Sequence, residues 1–297
     1  MKMSPDWLDR SEYPFEPRVI DLPLGKMHYV DEGSGDPILF VHGTPTWSFD
    51  YRHLIKALSP QARCVAPDLF GFGLSDRPRQ FDYSPESHAR ELRAFVDALG
   101  LTRFTLVVHD FGGPIAMPLL LDTPERVTRL VVINSFMWPI DDPSMLRAAR
   151  LLGGRLGRWM YRHLNLSLRV LVPSSYGDRR KLTPALHRQY REVFRDKDAR
   201  VNVLHALARA LTQSAGFYAE LVAKADRLAG HPTLLIWGMK DRAFGPTFLA
   251  RWQQLAPHAT VEEIAEAGHW PHEESPERVI NAFRAFLRTN QGRGPRA

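Results

Sequence analysis

Short apolar runs rich in β-branched residues alternate with amphipathic stretches through the first 135 residues. Residues 19–22, 26–30 and 37–41 read as strands, the first two joined by the turn-prone Pro23-Leu24-Gly25. Residues 63–67, 104–109 and 129–134 are continuous apolar runs of the kind seen in strands buried on both faces. Between them, residues 49–58, 84–99 and 112–121 carry helical periodicity. Ser87 and Glu91 stand near the start of the second helix and Gly100 follows its end, which is sensible capping chemistry. Strand–helix–strand alternation of this kind predicts the α/β class, with a mostly parallel sheet and helices on both faces.

The pattern changes at about Phe136. From there to Leu228 strand-like runs disappear and an Arg/Leu-rich helical periodicity takes over, broken near residues 173–177 and at Pro184. Strand patterns return at 233–237 and 260–264, each followed by a helical segment. An all-helical block inside an α/β alternation reads as an insertion. The expected organisation is a core in two parts, 1–135 and 229–297, interrupted by a helical cap over 136–228. Residues 291–297 are expected to be a frayed tail.

Composition narrows the class. The 297 residues are 44% hydrophobic and 24% charged, ordinary values for a globular chain long enough to bury a sizeable core. The single cysteine, Cys64, allows no internal disulfide, so nothing requires an oxidising compartment. The N-terminus lacks an apolar core of signal-peptide length, and no apolar run approaches the ~18 residues of a membrane span. A cytoplasmic protein with no membrane partner is expected. The net charge of +6 is concentrated: residues 141–210 hold fifteen Lys and Arg against six Asp and Glu. Arg147, Arg150, Arg158 and Arg162 recur at helical spacing among leucines, as on a solvated helical face. No nucleic-acid module accompanies this charge, so a nucleic-acid partner is not expected.

The candidate chemistry centres on residues 104–114, Phe-Thr-Leu-Val-Val-His-Asp-Phe-Gly-Gly-Pro. A buried strand running into a glycine pair and then a helix is the setting of a nucleophile elbow, in which a sharp turn exposes one side chain above the sheet. Here that residue is Asp110, beside the close-packing Gly112 and Gly113. A carboxylate in a water-poor pocket displaces a leaving group from saturated carbon and forms an alkyl-enzyme ester, which water must then hydrolyse. That second step requires a histidine to activate water and an acid to orient the histidine. Asp241, in the turn after the strand at 233–237, and His269, in the loop after the strand at 260–264, stand in the order nucleophile, acid, histidine. The loop His42-Gly43-Thr44-Pro45 follows a strand and faces the elbow, so the amides of Thr44 and Phe111 are the candidate oxyanion hole. His272 and Glu273 read as a solvated loop rather than as metal ligands. Gly71-Phe72-Gly73 lacks the third glycine and the helix start of a dinucleotide site, which excludes that cofactor.

Together HGTPTWSF (42–49), APDLFGFGLSDRP (66–78), VVHDFGGPI (107–115), LLIWGMKD (234–241) and AGH (267–269) resemble the haloalkane dehalogenases, α/β-hydrolases related to the epoxide hydrolases. The resemblance spans about residues 13 to 287 and weakens through the cap. It implies the α/β-hydrolase fold with an eight-stranded sheet and a helical cap after the sixth strand. It also implies a small apolar organic substrate with water as co-substrate, and neither metal nor organic cofactor. An acid after the seventh strand, like Asp241, matches some dehalogenase subgroups, and Asn134 occupies the region where another subgroup keeps its acid. Two positions depart from the pattern. Phe111 stands where dehalogenases usually place a halide-binding tryptophan, and Thr44 where many have asparagine; phenylalanine has no donor. Trp47, Trp138 and Trp159 are the candidate replacement donors. Epoxide opening is the rival reading and needs an acid, for which Tyr161, Tyr176, Tyr190 and Tyr218 are the cap candidates. A non-catalytic binding protein on the same scaffold is a third. The sequence does not indicate an oligomeric state.

Overall fold

The computed structural model describes residues 5–289. Eight strands form one sheet: β1 (Arg18–Leu22), β2 (Gly25–Glu32), β3 (Pro37–Val41), β4 (Arg63–Pro67), β5 (Phe104–Asp110), β6 (Val127–Ser135), β7 (Thr233–Gly238) and β8 (Thr260–Ile264). Their spatial order is β1-β2-β4-β3-β5-β6-β7-β8. Only the β1–β2 and β2–β4 pairs are antiparallel, and every other pair is parallel. This is the mostly parallel eight-stranded sheet expected. The chain steps from β3 outward to β4, then crosses back to lay β5 on the other side of β3. In open α/β sheets such a reversal opens a crevice at the carboxyl ends of the strands, where ligands bind. β5 is buried along its whole length, as a central strand covered on both faces must be.

The helices are α1 (Arg52–Leu58), α2 (Pro85–Ala98), α3 (Gly112–Leu121), α4 (Pro143–Gly153), α5 (Arg155–Leu164), α6 (Val172–Ser175), α7 (Pro184–Val193), α8 (Lys197–Ala199), α9 (His205–Gln213), α10 (Ala215–Ala223), α11 (Pro246–Leu255), α12 (Pro271–Glu274) and α13 (Pro276–Thr289). The cap of α2 is Ser84, whose hydroxyl accepts from the Ser87 amide at 3.2 Å, so the capping residue lies three positions before the serine singled out in the sequence. The helix expected over 49–58 begins as a 3₁₀ turn, Ser48–Tyr51, and becomes α-helical only at Arg52. Between β6 and β7 the described elements are all helical, α4 to α10 with short 3₁₀ and π segments. Pro184 stands in the first turn of α7, where its missing N–H costs nothing. Among the described residues no helix is long and apolar enough to cross a membrane. The expected tail at 291–297 lies outside the described residues.

Candidate active site

Asp110 ends β5 with φ of 51°, left-handed backbone that a side-chain-bearing residue adopts only under constraint. The constraint comes from the glycine pair at the start of α3. A Cβ on Gly112 would collide with the Val41 carbonyl, and one on Gly113 with the Ser135 hydroxyl and the Phe136 carbonyl, so only glycine lets α3 start this close to β3 and β6. The Ser135 hydroxyl donates to the Asp110 carbonyl at 2.6 Å and holds the turn. Opposite, a Cβ on Gly43 would strike the Asp110 carboxylate. The loop therefore closes on the acid, and the Thr44 amide donates to Asp110 Oδ1 at 2.7 Å. The Phe111 amide lies beside the same loop, 2.6 Å from where a Gly43 Cβ would stand.

The three acid and base residues expected from the sequence converge. His269 Nε2 is 3.5 Å from Asp110 Oδ2, and its Nδ1 is 2.7 Å from Asp241 Oδ2. All three are buried. Burial alone would pull the His269 imidazolium down, but the charge of Asp241 and the hydrogen bonds to both carboxylates outweigh it and raise its pKa to about 10. Burial likewise pushes Asp241 up, and the His269 charge with the amides of Ala243 and Phe244 more than offsets it, leaving Asp241 below its usual value.

Asn134 contacts the acid, a contact that the sequence did not single out. Its side-chain amide donates to Asp241 Oδ2 at 2.9 Å, and its oxygen accepts from the Gly238 amide at 2.8 Å. The residue at the alternative acid position thus holds the acid supplied by β7.

The cavity above Asp110 measures about 390 Å³. Its wall is largely aliphatic and aromatic, including Phe111, Met145, Leu152, Leu204 and Phe244. Polar groups are few: beyond Asp110 and His269, they include Tyr161, Ser167, Ser174 and Arg242. Of the four tyrosines, Tyr161 alone lines this cavity. Burial raises its pKa and the nearby Asp110 charge adds to the rise, which keeps the phenol protonated. Tyr176 stacks on Trp270, Tyr190 points at Asp50 and Glu273, and the Tyr218 ring packs on Phe136.

The tryptophan expectations are corrected. Trp47 is fully buried against Tyr13 and Phe49 and does not reach the cavity. Trp138 packs on Phe248 and Trp252 under the Arg251 guanidinium and faces a separate polar recess. Trp159 is solvent-exposed on α5. The aromatic run after β6 turns Phe136, not Trp138, toward Phe111.

His272 and Glu273 are also corrected: neither is solvated. Glu273 is buried and accepts from both terminal nitrogens of Arg52. His272 Nε2 lies 3.2 Å from Asp50 Oδ2. Asp50 also contacts His109 Nδ1 at 3.2 Å, while His109 Nε2 sits 2.9 Å from the His269 carbonyl oxygen. Among the described residues, Asp50, His109 and His272 are the group of donor atoms, all within 4.8 Å of one another, that could geometrically hold a metal. Their own acid–base contacts already satisfy the carboxylate, and they form a buried support behind the His269 loop. Sequence spacing gave no sign of it, because Asp50 and His272 meet only through the fold.

The sheet order, the strained acid at the β5–α3 turn and the histidine after β8 together define an α/β-hydrolase. The family model for the alpha/beta hydrolase fold matches residues 36–276, and the chain belongs to that family as a haloalkane dehalogenase-like enzyme. Over 277 residues it is 39% identical to haloalkane dehalogenase 2 of Mycobacterium tuberculosis, covering 93% of this chain and 96% of that protein. It is 32% identical over 287 residues to a cis-3-alkyl-4-alkyloxetan-2-one decarboxylase of Shewanella oneidensis, covering 92% of this chain and 89% of that one. A crystal structure of a haloalkane dehalogenase from Agrobacterium tumefaciens C58 matches with a TM-score of 0.84 at 27% identity, covering 94% of this chain and 99% of that chain.

Proposed function

We propose that this hydrolase works through a covalent alkyl ester on Asp110 and that its first reaction is displacement of halide from saturated carbon. The observation that carries the reading is the placement of a carboxylate between the Thr44 amide, at 2.7 Å, and the His269 imidazole, at 3.5 Å, on the floor of an apolar cavity. One carboxylate oxygen attacks carbon and the carbon–halogen bond breaks, with the electron pair leaving on halide. Ester formation removes the Asp110 charge that helped hold the His269 proton, so the imidazolium releases that proton to solvent and the neutral ring acts as base. Water, deprotonated by His269 Nε2, then attacks the Asp110 carbonyl carbon. The Thr44 and Phe111 amides take the oxyanion, and the ester collapses to alcohol and carboxylate. Asp241, held by Asn134, stabilises the imidazolium. The helical insertion over 136–228 serves as the cap that excludes water.

A second reading concerns the leaving group. Phe111 offers no side-chain donor, and losing one donor to a departing halide costs about 2–4 kcal/mol in the transition state. The cavity wall instead includes Tyr161, whose phenol is of the kind suited to an oxygen leaving group. An oxetan-2-one, the ring named in the Shewanella relative, carries such an oxygen on saturated carbon. Epoxides do so as well. One experiment separates these readings. The His269→Phe variant is incubated with bromoalkanes, epoxides and cis-3,4-dialkyloxetan-2-ones, then digested and analysed by mass spectrometry. An alkyl adduct on Asp110 with halide release supports dehalogenation. An adduct from the oxygen rings alone transfers the reading to ring opening, and labelling elsewhere refutes the role of Asp110.

A further inference from the structure

Among the described residues, five of the six large apolar side chains most open to solvent fall in one short stretch. Leu151 is 52% exposed, Leu156 55%, Trp159 51%, Leu164 46% and Val170 50%. Three of them lie on α5, with Leu151 near the end of α4 and Val170 in the π segment that follows. At 100° per residue, Leu156, Met160, His163 and Leu164 share one side with Trp159 at its edge, while Gly157 and Tyr161 share the buried side. Arg155, Arg158 and Arg162 fill the remaining strip. The inner side of the same α4–α5 hairpin supplies Ala148, Leu152 and Tyr161 to the cavity wall. This hairpin is therefore the roof of the cavity, apolar within and apolar again on its outer surface.

The charge around that outer surface is strongly basic and little opposed, the charge of Asp142 being felt near Arg147. Arg147, Arg150, Arg155, Arg158 and Arg169 are exposed and make no salt bridge among the described residues. The nearby acids are committed elsewhere: Asp198 to Arg162, Asp141 to Arg251, and Asp142 to the amides that begin α4. Leucines and a tryptophan on one face, bordered by arginines, form the pattern of helices that lie in a membrane interface. There the rings and aliphatic chains enter the acyl boundary and the guanidinium groups meet phosphate. A protein partner would have to supply both a large apolar patch and several unpaired acids. An anionic bilayer presents both together.

We propose that the outer face of the α4–α5 hairpin docks on anionic phospholipid surfaces, setting the cavity roof against the lipid that holds apolar substrate. The docking is peripheral, since no described helix is built to cross a bilayer. The substrate-delivery part rests on the reading of the cavity as a site for apolar compounds; the docking itself does not.

The test uses the full chain, phosphatidylcholine vesicles with and without about one third phosphatidylglycerol, and two exposed-face variants, Leu156→Gln/Trp159→Gln and Arg155→Gln/Arg158→Gln. Sedimentation of the wild type with anionic vesicles is expected, with release at high salt and about tenfold weaker binding by each variant. Turnover of a short water-soluble bromoalkane by both variants stays at the wild-type rate, because neither pair lines the cavity. The proposal is overturned if the wild type ignores anionic vesicles or if the Leu156/Trp159 variant binds them equally well. It is also overturned if light scattering shows a dimer that this variant dissolves, which would assign the face to a second copy. If no substrate is turned over at all, the catalytic reading fails while vesicle binding still decides the docking.

Discussion

At the residue scale the site rests on a charge arrangement that can be titrated. His269 carries two carboxylate partners, and its pKa is raised from the ordinary imidazole value to about 10. A raised folded-state pKa contributes stability that is fully present below the unfolded value near 6.5 and is lost as pH rises toward 10. Asp110→Asn removes one of those charges, so the His269 imidazole is expected to titrate at lower pH; nuclear magnetic resonance of the ring protons reads this directly. An unchanged titration would mean that Asp110 does not act on His269. Asn134→Ala is expected to slow hydrolysis of the Asp110 ester by roughly ten- to a hundredfold while leaving its formation nearly intact, because Asn134 acts through Asp241. Rapid-quench kinetics separates the two steps. Asp110, Asp241 and His269 were legible because each stands at or just after the carboxyl end of a strand, in a fixed order. Asn134 stood in view as the occupant of an alternative acid position, yet its contact with Asp241 depends on β6 and β7 being neighbours. The tryptophans misled for a related reason: a donor's direction is set by packing, and spacing does not encode it.

At the element scale the sequence was clearest where the elements are buried. β5 read as an unbroken apolar run and β7 as a returning strand pattern, and both are buried end to end. β2 and β6 run further than their apolar cores suggested, through Asp31 and Glu32 at one end and Val127 and Thr128 at the other. Asp31, Glu32 and Thr128 are only half-buried there, so periodicity loses its signal although the strands continue and Val127 is itself buried. The elbow was legible for a physical reason, since the clashes of α3 with β3 and β6 leave glycine as the residue that fits. Gly113→Ala is accordingly expected to cost about 2 kcal/mol or more, as overpacking against fixed backbone does. A urea melt checks this; a loss under half that size would mean the turn relaxes freely. The helical insertion was visible as a block, but its π segments at Ser167–Leu171 and Arg200–Leu204 were not. Ser167, Leu171 and Leu204 of these segments line the cavity, and no local sequence pattern marks them.

At the scale of the whole molecule, the alternation of patterns conveyed the class of sheet, while the crossing from β4 back to β5 set the place of the site. The buried supports behind the site lay beyond sequence reach, because their members come from distant segments. Glu273 with Arg52 is one, and Glu274 is another. The Glu274 carboxylate accepts from the Gly268 amide at 2.7 Å on the His269 loop, and from the Gly177 and Asp178 amides at 3.1 and 2.9 Å on the helical insertion. His269 itself donates its amide to the Ser175 carbonyl at 2.9 Å. Glu274→Gln keeps the size but can present only one acceptor oxygen. It is expected to lower the melting temperature by several degrees and to speed amide exchange at Gly177 and Gly268 together. Exchange that quickens at only one of them would show the two segments to be independent.

That shared carboxylate works as an interlock. The loop that bears His269 and the segment after α6 are fastened to one carboxylate, the Gly268 and Gly177 amides to the same oxygen and the Asp178 amide to the other. A shift of either segment away from Glu274 therefore breaks the tie that holds it to the other.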